Sequence, residues 1–135
     1  MIAIRVIFLG LLLIAAGCSN HKRIAGEKWL YIGQADVNNR DALVGIPTRG
    51  YDVYATIKLF ILRSTITITE IEFLYEDGSS EAISVQTTVT PANYSRAFTV
   101  PTLNKRLKKV TVFYRFAQPQ QRVAVIKCYG LRTAY

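Results

Sequence analysis

Tyr51-Asp52-Val53-Tyr54-Ala55-Thr56-Ile57-Lys58-Leu59-Phe60-Ile61-Leu62 is the longest clearly alternating run in the chain. Val53, Ala55, Ile57, Leu59 and Ile61 alternate with Asp52, Tyr54, Thr56, Lys58 and Phe60. A period of two places one set on each side of a strand, so the odd positions are expected in a core and the even ones outside. A helix would need apolar residues three and four apart, and this run has them two apart.

Working outward, Arg63-Ser64 turns the chain into Thr65–Glu76. Ile66 and Ile68 share one parity there, and Ile71, Phe73 and Tyr75 the other. A β-bulge near Thr69-Glu70 reconciles the two, because one extra residue turns every following side chain over. Glu70 and Glu72 then belong to the solvent side of the strand. Glu76-Asp77-Gly78-Ser79 is a hairpin turn, since Asp-Gly tolerates positive φ. The return strand, Glu81–Thr90, points Ile83, Val85, Thr87 and Val89 inward. Pro91-Ala92-Asn93 breaks it, and Ser95–Val100 forms another short strand.

Leu107–Phe116 alternates again, with Val110, Val112, Tyr114 and Phe116 inward. Arg122–Tyr129 closes the sheet with Ala124, Ile126 and Cys128 inward, and Gly130 ends it. Before Tyr51, Lys28–Gly33 reads as the first strand, Gln34–Asp41 as a polar turn, and Ala42–Ile46 as a short strand stopped by Pro47. Trp29, the only tryptophan, is expected at the edge of the core. Seven or eight short strands without a helical stretch predict an all-β antiparallel sandwich, with a small β-barrel as the alternative.

The start of the chain has a different character. Arg5 precedes an apolar run, Val6–Ala16, that is much shorter than the roughly twenty residues of a bilayer-spanning helix. Leu13-Ile14-Ala15-Ala16-Gly17-Cys18 resembles the lipobox of bacterial lipoproteins, where the leader is cut before a cysteine that carries lipid. The resemblance implies residues 1–17 as signal peptide, lipid on Cys18, and 18–27 as a tether before a domain at 28–135. Ser19 after the cysteine resembles an outer-membrane address, which implies a periplasm-facing, lipid-anchored protein of the bacterial envelope.

From Trp29 to Gly130 the chain also resembles a family of small bacterial secreted domains of uncharacterised function. The features follow in order: Trp29-Leu30 leading to Gly33, Asp41 before a short hydrophobic strand, and the long strand from Tyr51. The Ile71-Glu72-Phe73…Asp77-Gly78 hairpin, Ser95-Arg96, the Arg106–Arg115 strand and a last strand closing on Gly130 complete it. The resemblance implies a β-sandwich and supplies no activity or ligand residue.

The chemistry-bearing residues are sparse. His21, the only histidine, falls in the tether, where nothing holds its ring in place. That removes histidine-assisted nucleophiles and zinc, and no phosphate loop or Cys-x-x-Cys is present. The reading is therefore no enzyme, no cofactor and no metal. Asp36, Asn38, Asn39 and Asp41 gather oxygens of the kind calcium takes, but Asn and Asp also make turns, and the turn reading is preferred. With Cys18 acylated, Cys128 has no disulfide partner and reads as a small buried hydrophobe.

Charge is the remaining signal. Seventeen Lys and Arg face nine acids, for a net charge of +8, of which the leader removes only Arg5. Lys105, Arg106, Lys108 and Lys109, with Arg96 and Arg115, form a candidate patch for an anionic envelope ligand such as lipopolysaccharide phosphate or an acidic glycan. The same charges would also protect an edge strand against aggregation. The leading expectation is a non-catalytic accessory or protein-binding module with an envelope protein as partner; nucleic acid is not expected there.

Overall fold

The computed structural model describes residues 28–49 and 52–132. The leader, Cys18, the tether with His21, Gly50, Tyr51 and residues 133–135 lie outside the described residues. Nine strands are described: β1 Leu30–Asn38, β2 Leu43–Pro47, β3 Tyr54–Leu62, β4 Ile66–Tyr75, β5 Ser80–Val89, β6 Asn93–Tyr94, β7 Phe98–Thr99, β8 Leu107–Phe116 and β9 Val123–Arg132. They form two antiparallel sheets. Sheet A runs β1-β9-β3-β6, with β7 also on β3, and sheet B runs β2-β8-β4-β5. The architecture is the sandwich, and neither sheet closes into a barrel.

The alternation places the core as expected. Ile57, Leu59 and Ile61 of β3 meet Ile66, Ile68, Ile71 and Phe73 of β4, and all are fully buried. Burying such side chains contributes about 1.5–3 kcal/mol each. Against β8 the bulge in β4 lies at Thr69, between Ile68 and Glu70; against β5 the extra residue is on β5, where Val85 and Gln86 oppose Thr69 and Gln86 takes a φ of 42°. In the turn between β4 and β5 Gly78 alone takes a positive φ, 89°, and its N–H donates to the Tyr75 carbonyl at 3.0 Å. That is a turn followed by one left-handed glycine rather than two left-handed residues.

Four local expectations are corrected. Gln34–Asn38 continues β1 instead of turning, because β9 supplies a partner for every residue from Gln34 to Asn38 and Val37 is buried. The turn shrinks to Asn39-Arg40. β9 continues through Gly130 to Arg132, because Gly130 lies under the Tyr54 ring, where a Cβ would meet ring carbons at 2.6 Å. A bulge at Ala55 opposes that site, so Tyr54 turns inward, 3% exposed, while Val53 and Ala55 are half-buried. Finally, 95–100 is not one strand. The Ser95 hydroxyl accepts from Leu59 N–H at 2.9 Å and so takes the place of a main-chain rung between β6 and β7.

Candidate functional site

Inward placement of Ile57, Leu59 and Ile61 turns Lys58 and Phe60 outward, and inward Ile126 and Cys128 turn Lys127 and Tyr129 outward. Register then lines them up. Tyr31 on β1 pairs with Tyr129 on β9, which pairs with Lys58 on β3; Phe60 pairs with Lys127 on one side and Tyr94 on the other. Four rings form a continuous row across sheet A. Centroids are 5.7 Å apart for Tyr31–Tyr129, 5.6 Å for Tyr129–Tyr94 and 4.7 Å for Tyr94–Phe60. Tyr31 and Tyr94 are 37% and 50% exposed.

Cations sit on this row. Lys58 Nζ lies 4.2 Å from the Tyr94 centroid and 4.4 Å from that of Trp29, so the ammonium is held between two rings. Arg49 covers Tyr31 at 5.3 Å. Such contacts contribute about 0.5–1 kcal/mol each at exposed sites. Among the described residues no carboxylate pairs with Lys58, Lys127 or Arg49, and Asp36 is the one acid at an outward position of this sheet. Burial, then the neighbouring Tyr94 and Tyr31 phenols, raises the pKa of Tyr129, which therefore stays a neutral hydrogen-bonding group. Trp29 belongs to this row, outside the sheet, rather than to the core edge alone.

The basic residues singled out in the sequence do not gather in one place. Lys105 is bound to Asp77 at 3.1 Å and donates to the Ser79 hydroxyl at 2.9 Å, while Arg106 faces Glu76 at 3.9 Å. Hydrogen bonds from Ser79 and then Lys105 hold the Asp77 carboxyl at about 2. Two of the four clustered cations are thus offset by the β4–β5 hairpin. Lys108 is exposed, and the Lys109 stem lies across Gly45 on the outer face of sheet B. Arg115 sits at the opposite end of β8, on the order of 20 Å from Lys108 at about 3.3 Å per residue. Arg96 is used structurally: it donates to the Val85 carbonyl at 3.1 Å and covers Phe98, tying the β6–β7 segment to β5.

Groups with chemical potential elsewhere are dispersed. Asp52 is held by Arg132 at 2.6 Å and caps Val53 N–H, whereas Glu70 and Glu72 face outward from sheet B. Asn38 Oδ1 accepts from the N–H groups of Arg40 and Asp41, so the Asn/Asp cluster is spent on a turn. Burial pushes the Cys128 thiol far up, and its 0% exposure fits the small-hydrophobe reading.

In sequence, residues 6–130 match the family described as a domain of unknown function, DUF2541. The chain belongs to this family. No curated protein matches it. In structure it is similar to AlgX of Pseudomonas aeruginosa, with a TM-score of 0.55 at 10% identity, over 82% of this chain and 27% of AlgX. The chain thus spans about a quarter of that protein's length. It is also similar to a family 29 carbohydrate-binding module solved with cellulohexaose, with a TM-score of 0.41 at 11% identity, over 78% of this chain and 75% of the module. At these identities the first likeness speaks to the fold alone, and the second is too distant to establish even that.

The aromatic row was missed in sequence because Trp29, Tyr31, Lys58, Phe60, Tyr94 and Tyr129 come from four separate strands and the segment leading into β1. The available signal was parity: Lys58-x-Phe60 and Lys127-x-Tyr129 occupy outward positions where Thr, Ser or Glu would suffice.

Proposed function

We propose that this protein is a non-catalytic binding module of the bacterial envelope, held by lipid on Cys18 at the periplasmic side of the outer membrane. Its working surface is the outer face of sheet A, through which it engages another envelope component. The observation that carries this reading is the Tyr31–Tyr129–Tyr94–Phe60 row with Lys58 held among the rings. Contiguous exposed apolar surface of this kind, rimmed by charge, marks interaction sites. The non-catalytic part is supported by the dispersal of Asp52, Glu70 and Glu72 and by the burial of Cys128.

Amine-reactive footprinting tests the surface. Lysine labelling is compared between native membranes and the purified protein, with acylation of Cys18 read from the N-terminal mass and compared with Cys18→Ser. Protection of Lys58 and Lys127 is expected. Protection of Lys105, Lys108 and Lys109 instead would transfer the function to the anionic-ligand patch, and protection of neither set would sink the assignment.

A further inference from the structure

We infer that the outer face of sheet A seats on an anionic lipid surface. Lys58, Lys127 and Arg49 meet head-group phosphates, and Trp29, Tyr31, Tyr94 and Tyr129 enter the head-group layer. This rests on the reading of that face as the working surface and adds what occupies it.

Three observations favour lipid. The first is composition. Trp and Tyr, with an apolar body and a polar tip, interleaved with Lys and Arg, are the residues that settle at a membrane–water boundary. The row supplies that set on one sheet face, spread over β1, β9, β3 and β6, with Trp29 and Arg49 at its margin. The second is charge complementarity. The face carries three cations without a carboxylate partner among the described residues, while Glu70 and Glu72 project from the opposite side of the sandwich. On that second face Lys109 and Arg115 balance the two glutamates, whereas on the first only Asp36 offsets the three cations. An anionic leaflet therefore attracts the first face more strongly than the second, and the field orients the body. The third is connectivity. The described chain begins at Lys28 and Trp29, against Lys58 on this face. Residues 18–27 span at most roughly 30 Å when extended, so an anchor at Cys18 keeps this face within reach of the membrane.

The ring geometry argues against a sugar chain as occupant. Stacking a sugar needs open ring faces, yet the protein's own cations cover one face each of Trp29, Tyr94 and Tyr31. The Lys58 ammonium, by contrast, donates to no acceptor among the described residues, which leaves its N–H groups for a phosphate oxygen.

Each basic side chain close to an anionic leaflet favours contact by about fivefold. Three such groups are weak alone and suited to orienting a protein already held at the membrane.

Trp29, the only tryptophan, makes the test direct. The protein as isolated from cells is added to vesicles of brominated phosphatidylcholine, with and without phosphatidylglycerol, and Trp29 quenching is followed. Quenching is expected only with the anionic lipid and is lost in high salt. Lys58→Gln with Lys127→Gln weakens it by roughly thirtyfold, Lys58→Arg retains it, and Lys108→Gln with Lys109→Gln leaves it unchanged. Equal quenching on neutral vesicles, or equal weakening by the Lys108/Lys109 pair, overturns the inference. So does protection of Lys58 by a soluble acidic oligosaccharide without any vesicle contact, which would make the face a glycan site. If Lys58 and Lys127 are protected in native membranes while vesicles fail to quench Trp29, the surface stands and the occupant is a protein. If neither occurs, the surface itself falls.

Discussion

The two outer faces of the sandwich are built on equivalent foundations and finished differently. Beneath each lies the same isoleucine-rich interior, Ile57, Leu59, Ile61 and Ile126 from sheet A against Ile66, Ile68, Ile71 and Val112 from sheet B. Above it, sheet B places Glu70, Glu72, Lys109, Arg115, Ala82 and Ser84 outward, with the Thr67–Thr88 hydroxyl pair at 2.9 Å, and among the described residues Phe113, beside the exposed Leu43, is its one aromatic residue at an outward strand position. Sheet A presents four rings, and its three cations face the single acid Asp36. Sheet B shows that the fold can be completed without an aromatic row; the rings of sheet A are additional to what the fold requires. A similar contrast separates Lys58 from Lys105. Both lie over aromatic rings, but Lys105 also has Asp77 as a partner, while Lys58 has no acid among the described residues.

Three measurements test this contrast between the faces. The largest effect belongs to the shared interior. Leu59→Ala and Ile71→Ala should each lose about 2–5 kcal/mol in urea unfolding, and the two should be alike; a much milder Leu59→Ala would mean that sheet A is not an equal half of the core. Next come the faces. Tyr94→Ala removes two ring contacts worth about 0.5–1.5 kcal/mol each, and Thr88→Ala removes one hydrogen bond of about 0.5–1.5 kcal/mol. Tyr94→Ala should therefore cost somewhat more stability than Thr88→Ala, and only Tyr94→Ala should abolish protection of Lys58 in native membranes. If Thr88→Ala does so equally, the faces are not functionally distinct.

The smallest effect is at the hairpin. Asp77 titrates at about 2 in the folded chain against an ordinary 3.8, so its contribution is complete above the ordinary value and is lost as pH falls toward 2. Asp77→Asn should flatten that part of an acid unfolding curve, with a small loss of stability at pH 7 that vanishes as pH falls toward 2; the loss is small because the side chain is solvent-exposed. A variant that loses as much stability near pH 2 as at pH 7 would show that the hairpin depends on more than this carboxylate.

Much of the fold was legible residue by residue. The alternation of β3 and β8, the parity change at Thr69 and the Asp77-Gly78 turn were each written within a few neighbouring positions. Two strand limits were not. Gln34–Asn38 has weak strand propensity and is extended because β9 offers it hydrogen-bond partners and a place for Val37. Gly130 reads locally as a stop, yet it lies inside β9 because only a residue without a Cβ fits beneath Tyr54. The candidate site was less legible still, since the basic cluster conspicuous in sequence is partly satisfied by acids across a hairpin, whereas the face that stands out in three dimensions has no run of its own.

The side of each strand on which a residue falls is set locally, because it depends on a period of two and on bulges. Which strands lie next to one another, and in what register, is settled only in the assembled fold. That choice depends on filling one core and pairing every buried backbone group, both of which involve residues far apart in the chain. Trp29 and Tyr31 meet Lys58, Tyr94 and Tyr129 for that reason alone, and the face they make exists only in the assembled sheet.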